Sequence, residues 1–396
     1  MRISLYFIFK ASLLFYFLDS MHLWVTWHVP THYIGFVVFL VILLYVSLEK
    51  VKLKLTPSRT LGAVLLLVAS YIGYTLNNFG AYLGPIFTLL PIALLLYIDD
   101  PKIHKDLLDF IVNFFAVMLP ISFFVFLLTF IGLPSLGKLT PTSDFYIPFN
   151  NYLFSVKSPM YGVRFGALFL EPGHLGMISA YLLFAMKFNL KDVRVLVIFI
   201  FSLFTFSLAA YVLIIIGYVI NLFAHKRLKF RIVLLGLFLF GFLYLIAVNY
   251  NDGENLLNES LFERLKPSED KLIAGNNRTF GHFDGFYELV MENKNLILWG
   301  IGVDNYNFII EHYNFGGAGI KIYILRQGLV SVLLVFGGYL IMGLSLSKNR
   351  RYSLGFVLLL ALSFWQRAYP FWASWLILFI SGIASTNEKI PNEVEE

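Results

Sequence analysis

Apolar runs of about twenty residues recur along almost the whole chain, and that recurrence limits the fold more than any other feature. The hydrocarbon core of a bilayer is about 30 Å thick and is crossed by about 20 helical residues. Inside it, backbone N–H and C=O groups must be satisfied without water, which only helices and closed barrels achieve. A barrel would show short alternating segments, and these runs do not alternate. The expected fold class is therefore an all-α polytopic integral membrane protein, a single membrane domain over 1–396. Composition agrees. The chain is 59% hydrophobic and 14% charged, where a soluble domain carries roughly 25% charged residues. It has no cysteine, which excludes disulfides, thiolate catalysis and thiolate-held metals.

About twelve spans are predicted, near 4–24, 31–48, 60–76, 80–98, 107–132, 172–187, 194–207, 209–223, 232–250, 327–345, 353–366 and 369–385. The run after Met1 and Arg2 is shaped like a signal peptide. No small-x-small cleavage site follows it, and Asp19 and His22 do, so it is expected to be a retained first span. The stretch 194–223 has basic loops on both flanks, which favours a re-entering hairpin of two short helices over one long tilted helix.

Charge sets the expected orientation. Lys50, Lys52, Lys54, Arg59, Lys102, Lys105, Lys187, Lys191, Arg194, Lys226, Arg227, Lys229, Arg231, Lys348, Arg350 and Arg351 all fall in loops on one side of a twelve-span arrangement. The short loops of the other side, near Val29 and Asn77, hold no Lys or Arg. By the positive-inside rule the first set, and both termini, are cytoplasmic. The net charge of +6 is then an orientation signal and not affinity for nucleic acid. Two longer segments face outward: a first extracytoplasmic loop over 133–171 and a large one over 251–326. In the second, Phe280 to Asn293 has the apolar spacing of a short amphipathic helix, with Asn276 or Asn277 as its cap. Gly300 and Gly302 predict a turn after it.

The stretch Tyr161 to Gly176 (Y-G-V-R-F-G-A-L-F-L-E-P-G-H-L-G) concentrates the chemistry. It sets Arg164, Glu171 and His174, with Pro172 and four glycines, at the entrance of an apolar segment. Ionisable groups beside lipid are costly and usually have a partner or a task. Glu171 and His174, three apart, share a face if helical. An ion pair of Glu171 with Arg164 is the structural alternative. Two ligands are too few for a metal site, and none is assigned.

A pattern emerges from the order of motifs. R-F-G-A-L-F-L-E-P stands at a span entrance; a late outer loop carries N-R-T-F-G-H-F-D and then W-G-I-G-V-D-N-Y; the next span opens with R-Q-G-L. With the serine-containing break near Thr205–Ser207, this resembles the bacterial O-antigen polymerases, members of the O-antigen polymerase/ligase family. The likeness covers about 160–340. The ligases usually carry a histidine just before the span after the large loop. Here Gly317 to Leu325 has none, which favours a polymerase.

The resemblance implies a membrane-embedded inverting glycosyltransferase, like those of the GT-C type, in the bacterial inner membrane. It implies transfer of a growing glycan from undecaprenyl diphosphate onto a lipid-linked repeat unit, in O-antigen or capsule synthesis. A chain-length regulator protein is a further partner of such enzymes, and no cofactor is called for. An O-antigen ligase, or a flippase for lipid-linked oligosaccharides, is the alternative. A departing diphosphate suits guanidinium forks, and the candidates are Arg164, Arg278, Arg326 and Arg367; snorkelling to the interface is the simpler role for each. The candidate bases for the attacking hydroxyl are Glu171, His174, His282 and Asp284.

Overall fold

The computed structural model describes residues 4–74, 79–141, 147–225, 241–242, 244–255, 258, 262, 282–313, 317 and 319–387. Helices begin where the sequence offers a cap. Ser4, Thr56, Asp100, Asp192, Ser207 and Asn349 each accept a first-turn backbone N–H, satisfying one of the donors a helix start leaves open. The helices are α1 (Leu5–Ser20), α2 (Thr31–Leu48), α3 (Pro57–Tyr71), α4 (Phe79–Tyr97), α5 (Pro101–Leu128), α6 (Pro172–Ala185), α7 (Val193–Leu203), α8 (Leu208–Ala224), α9 (Phe283–Glu292), α10 (Lys294–Trp299), α11 (Val303–Tyr313), α12 (Ile320–Leu346), α13 (Arg350–Gln366) and α14 (Ala373–Ala384).

All the expected spans except the ninth coincide with described helices, and the ninth, near 232–250, lies largely outside the described residues. Three described helical stretches are long and apolar enough to cross a membrane unaided: Thr31–Leu48, Pro101–Ile131 and Ile320–Leu346. Others are short. With 11 residues in α7 and 12 in α14, and a rise of about 1.5 Å per residue, neither covers a bilayer core alone. Among the described residues, helix length alone accounts for three crossings. The stretch 194–223 is two helices, broken at 204–207.

The central helices are α6 and α14, whose residues are all buried. A helix apolar on every side belongs inside a protein or a bilayer. Around them, α6 packs on α7 and α8, α14 on α5 and α6, α3 on α12, and α2 on α4. The outer helices turn large apolar side chains outward, among them Val37 and Leu44 on α2, Val117 and Phe124 on α5, and Leu333 on α12. Such a surface needs an apolar surround.

The bundle has two chemically distinct ends. At one, a bridge between Leu53 and Ile98 brings two basic loops together. There Arg59 pairs with Asp99 (3.0 Å), and Lys54 reaches the same carboxylate (3.6 Å). Arg194 pairs with Asp192 (2.6 Å) and Asp109 (3.1 Å), and the Tyr352 hydroxyl donates to the Phe184 carbonyl (3.0 Å). At the other end Trp24 N–H donates to Leu168 (3.2 Å) and Ser374 N–H to the Ser20 hydroxyl (2.9 Å), which ties α1, the approach to α6 and α14 together.

The segment 133–171 carries a small sheet that the sequence does not announce. Gly137–Leu139, Phe149–Asn151 and Val156–Lys157 (β1, β2, β3) pair antiparallel in that order, with Asn150 opposite Lys138 and Lys157. Phe149, Val156 and Leu170 fix it against Trp24 and Trp27. The amphipathic helix expected from Phe280 is described from Phe283, with His282 as its N-cap; Asn276 and Asn277 lie outside the described residues. Its apolar face is as expected, with Phe283 and Val290 buried and Phe286 and Tyr287 packed beside them.

Candidate functional site

Proline at the first helical position presets the backbone for a helix start, and Pro172 opens α6 this way, with Glu171 as the N-cap residue. The Glu171 side chain does not cap. It forms an ion pair with the Arg367 guanidinium, which arrives from the end of α13. Arg367 is 8% exposed. Gly173 makes the approach possible: a Cβ there would stand 2.8 Å from Arg367 Nη2. Gly176 serves the same helix one turn on. A Cβ at that position would lie 2.6 Å from Ala210 Cβ and 3.0 Å from Thr205 Oγ1, so α6 sits directly on the α7–α8 break.

Arg164 holds that break from outside. Its Nε donates to the Thr205 carbonyl (3.2 Å), and its guanidinium lies 5.9 Å from the Tyr161 ring. Glu171 thus has Arg367 as an ion-pair partner, which the sequence reading did not name.

His174 is 1% exposed, and neither ring nitrogen has a hydrogen-bond partner. Its ring stands edge-on to Trp372 (4.8 Å) and Tyr369 (6.1 Å) and lies 5.6 Å from the His22 ring. His22 is solvent-accessible and lines two cavities. One, of ≈ 280 Å³, is bounded by Asp19, Thr26, Trp27, His28 and Thr31. The other, of ≈ 390 Å³, is bounded by Thr31, His32, Tyr74, Thr88, Gln327 and Trp372.

No protein-family model, curated protein or solved structure matches the chain. Its site is therefore read from its own geometry.

The W-G-I-G-V and R-Q-G-L motifs meet through their backbones. Gly300, Gly302, Gly328 and Gly73 all have positive φ (75°, 90°, 73° and 85°). Ile301 N–H donates to Leu325 (2.7 Å) and Val303 N–H to Gly73 (2.6 Å). Gly328 breaks α12 near its start, so that Gln327 lines the larger cavity while the Arg326 guanidinium lies 5.8 Å from the Tyr306 ring. Burial raises the Tyr306 hydroxyl to about 12, with Arg326 acting against the shift. His282 is exposed at the start of α9, and Asp284, in its first turn, pairs with Lys321 at 2.7 Å. Arg278 lies outside the described residues. Among the described residues no group of three or more His, Asp or Glu could hold a metal ion.

The structure thus brings Glu171, His174 and Arg367 into one cluster, with Arg164 holding the adjacent helix break. Arg326 belongs to the glycine contact, and His282 and Asp284 to the start of α9. Sequence reasoning did not single out His22, Trp372 or Gln327 as parts of a site. The available signal was two polar residues, Asp19 and His22, closing an otherwise apolar run.

Proposed function

We propose that the chain is a polysaccharide polymerase of the bacterial inner membrane. It transfers a growing glycan from undecaprenyl diphosphate onto a lipid-linked repeat unit at the outer face. The observation that carries this reading is the buried Glu171–Arg367 pair near two cavities that both reach His22, at the end of an apolar bundle opposite its basic loops. A buried guanidinium balanced by a carboxylate is a preorganised anion site: a diphosphate can compete for the same fork of donors. The resemblance of the Arg164–Glu171 and Trp299–Tyr306 motifs to O-antigen polymerases supports the same chemistry. The missing histidine over Gly317–Leu325 favours polymerase over ligase.

In this reading about twelve segments enter the bilayer, some as short re-entering helices. Both termini are cytoplasmic, and 133–171 and 251–326 are outside. Reporter fusions after Lys266 and Lys389 test the orientation; an outside-only reporter active at Lys389, or silent at Lys266, overturns it. Catalysis is metal-independent, and loss of polymerisation in EDTA with recovery on adding a divalent ion would reverse that.

The function is tested by glycan length in cells lacking the chain. Loss of a polymerase leaves single repeat units on the surface lipid. Loss of a flippase leaves none there, and loss of a ligase leaves long chains on undecaprenyl diphosphate.

A further inference from the structure

His22 lies just past the end of α1 with φ +57°, a left-handed conformation that side chains with a Cβ adopt at a cost. Two bonds to its carbonyl hold it there, from Trp27 Nε1 (2.8 Å) and Leu170 N–H (3.3 Å). The result is a side chain that, together with Thr31, lines both cavities, with its ring edge-on to Trp372 at 5.5 Å. No hydrogen bond from a described residue engages its ring nitrogens.

The cavity walls ask for a polar ligand. Asp19 lines the smaller cavity at 3% exposure, and Gln327 the larger at 6%. Gln327 Oε1 and the Oδ2 atom of Asp19 are buried with no hydrogen-bond partner, while the Thr26 and Thr31 hydroxyls face the Asp19 carboxylate. Buried acceptors left open are costly unless something fills them. Trp27 stands in one wall and Trp372 in the other. Open acceptors beside aromatic faces suit a glycan, which offers hydroxyl donors and apolar C–H faces. A reaction between two glycans needs two such sites with the reacting atoms at their junction.

We propose that His22 is the catalytic base of the transfer, standing where a donor glycan in one cavity meets an acceptor glycan in the other. The assignment rests on the polymerase reading above. The acceptor oxygen attacks the anomeric carbon and the new C–O bond forms. The bond from that carbon to the diphosphate oxygen breaks, and its electron pair leaves with the diphosphate. The hydroxyl proton passes to the His22 imidazole and from there to water.

The neighbours are less suited. His174 is enclosed, Glu171 is engaged with Arg367, and Asp19 lines the smaller cavity alone, away from the larger one. An imidazole in its neutral form at this place can accept the hydroxyl proton. The rate then rises with pH through the His22 ionisation and levels off above it. Asp19, His28, His32, Tyr74, Glu171, His174, Arg367 and Tyr369 are the other titratable groups around the ring, so variants must separate their contributions.

The experiment uses the purified full-length protein and the lipid-linked repeat unit extracted from cells that lack it. His22→Gly removes the ring without backbone strain, since glycine adopts positive φ freely. The expected loss in kcat is about 10²- to 10⁴-fold. Added imidazole should restore part of it, with a pH dependence that follows free imidazole. If His22→Gly does not fold, His22→Asn, which also tolerates this backbone, is read in its place: a comparable loss, together with loss of the acid limb, supports the base. Activity within threefold of wild type overturns the assignment. So does an inactive, folded His22→Gly that imidazole fails to restore, which would make His22 a positioning residue. A wild-type protein that does not polymerise this substrate overturns the polymerase reading itself, and the base with it.

Discussion

The Arg367 guanidinium rests against the α-carbon of Gly173, with room for no side chain between them. A Cβ would come within 2.8 Å of Nη2, and the atom that must yield is the far end of a long side chain. Gly173→Ala should therefore cost little through overlap, and alanine favours the helix; what it loses comes from the Glu171 contact, at most the about 3–5 kcal/mol of a broken buried pair. It should displace the guanidinium from Glu171. A misplacement near 1 Å in a catalytic group can cost about a hundredfold in rate. The expected outcome is a folded protein, destabilised no more than Glu171→Gln, that makes only short glycans. A cold-sensitive or unfolded product would instead assign Gly173 to packing.

Gly300 and Gly328 differ in kind, because backbone and not side chain blocks them. A Cβ on Gly300 would approach Gln327 N at 2.7 Å, and one on Gly328 would collide with the Leu298 carbonyl. Both also sit at positive φ, which costs about 1–2 kcal/mol for alanine before any overlap. Each alanine variant should lose more than about 2 kcal/mol. Gly285, with open space around its α-carbon in α9, should gain up to about 1 kcal/mol on the same change. Thermal unfolding in detergent checks all three, and equal melting temperatures would contradict the backbone contact.

These contrasts mark what could be read in the chain beforehand. Helix positions follow from apolar runs and caps, which are local, so even the break inside 194–223 was legible. The glycines of W-G-I-G-V and R-Q-G-L announced turns, but not that the two turns press on each other. The Glu171–Arg367 contact spans 196 positions, and nothing local to either residue announces it. The sheet in 133–171 has strands of two and three residues, too short to show a period. His22 is a lone histidine after an apolar run, and only the left-handed turn behind it aims the ring at the cavities.

A pH effect on stability is expected at the basic end. Asp192 is held below the usual carboxylate range, first by its hydrogen bonds from Arg194. A lowered folded pKa gives stability that is present above the unfolded value of about 3.9 and is lost as pH falls through the folded value. Asp192 also caps α7 by accepting from Arg194 N–H, and asparagine caps as well. Asp192→Asn should thus isolate the charge. Partly exposed pairs of this type contribute about 0.2–1 kcal/mol. The gap between wild type and variant should be constant above about pH 5 and close below about pH 4. A gap unchanged at pH 3 would show that the ion pair is not its source.

Glu171 and Arg367 separate structure from function most sharply. Both are largely buried, and removing one partner of a buried pair costs about 3–5 kcal/mol, because the other charge is left stranded. Glu171→Gln and Arg367→Met should each show a loss of this order. The double variant should regain most of it, since replacing a whole buried pair by uncharged groups is often neutral. If the pair were only structural, glycan length would recover with stability. If Arg367 binds the leaving diphosphate, the double variant should fold and still make single repeat units. Arg367→Lys should resemble it in activity, because a point charge lacks the guanidinium fork. Long glycans from the stable double variant would remove Arg367 from the diphosphate site and leave the pair as a clasp between α6 and α13.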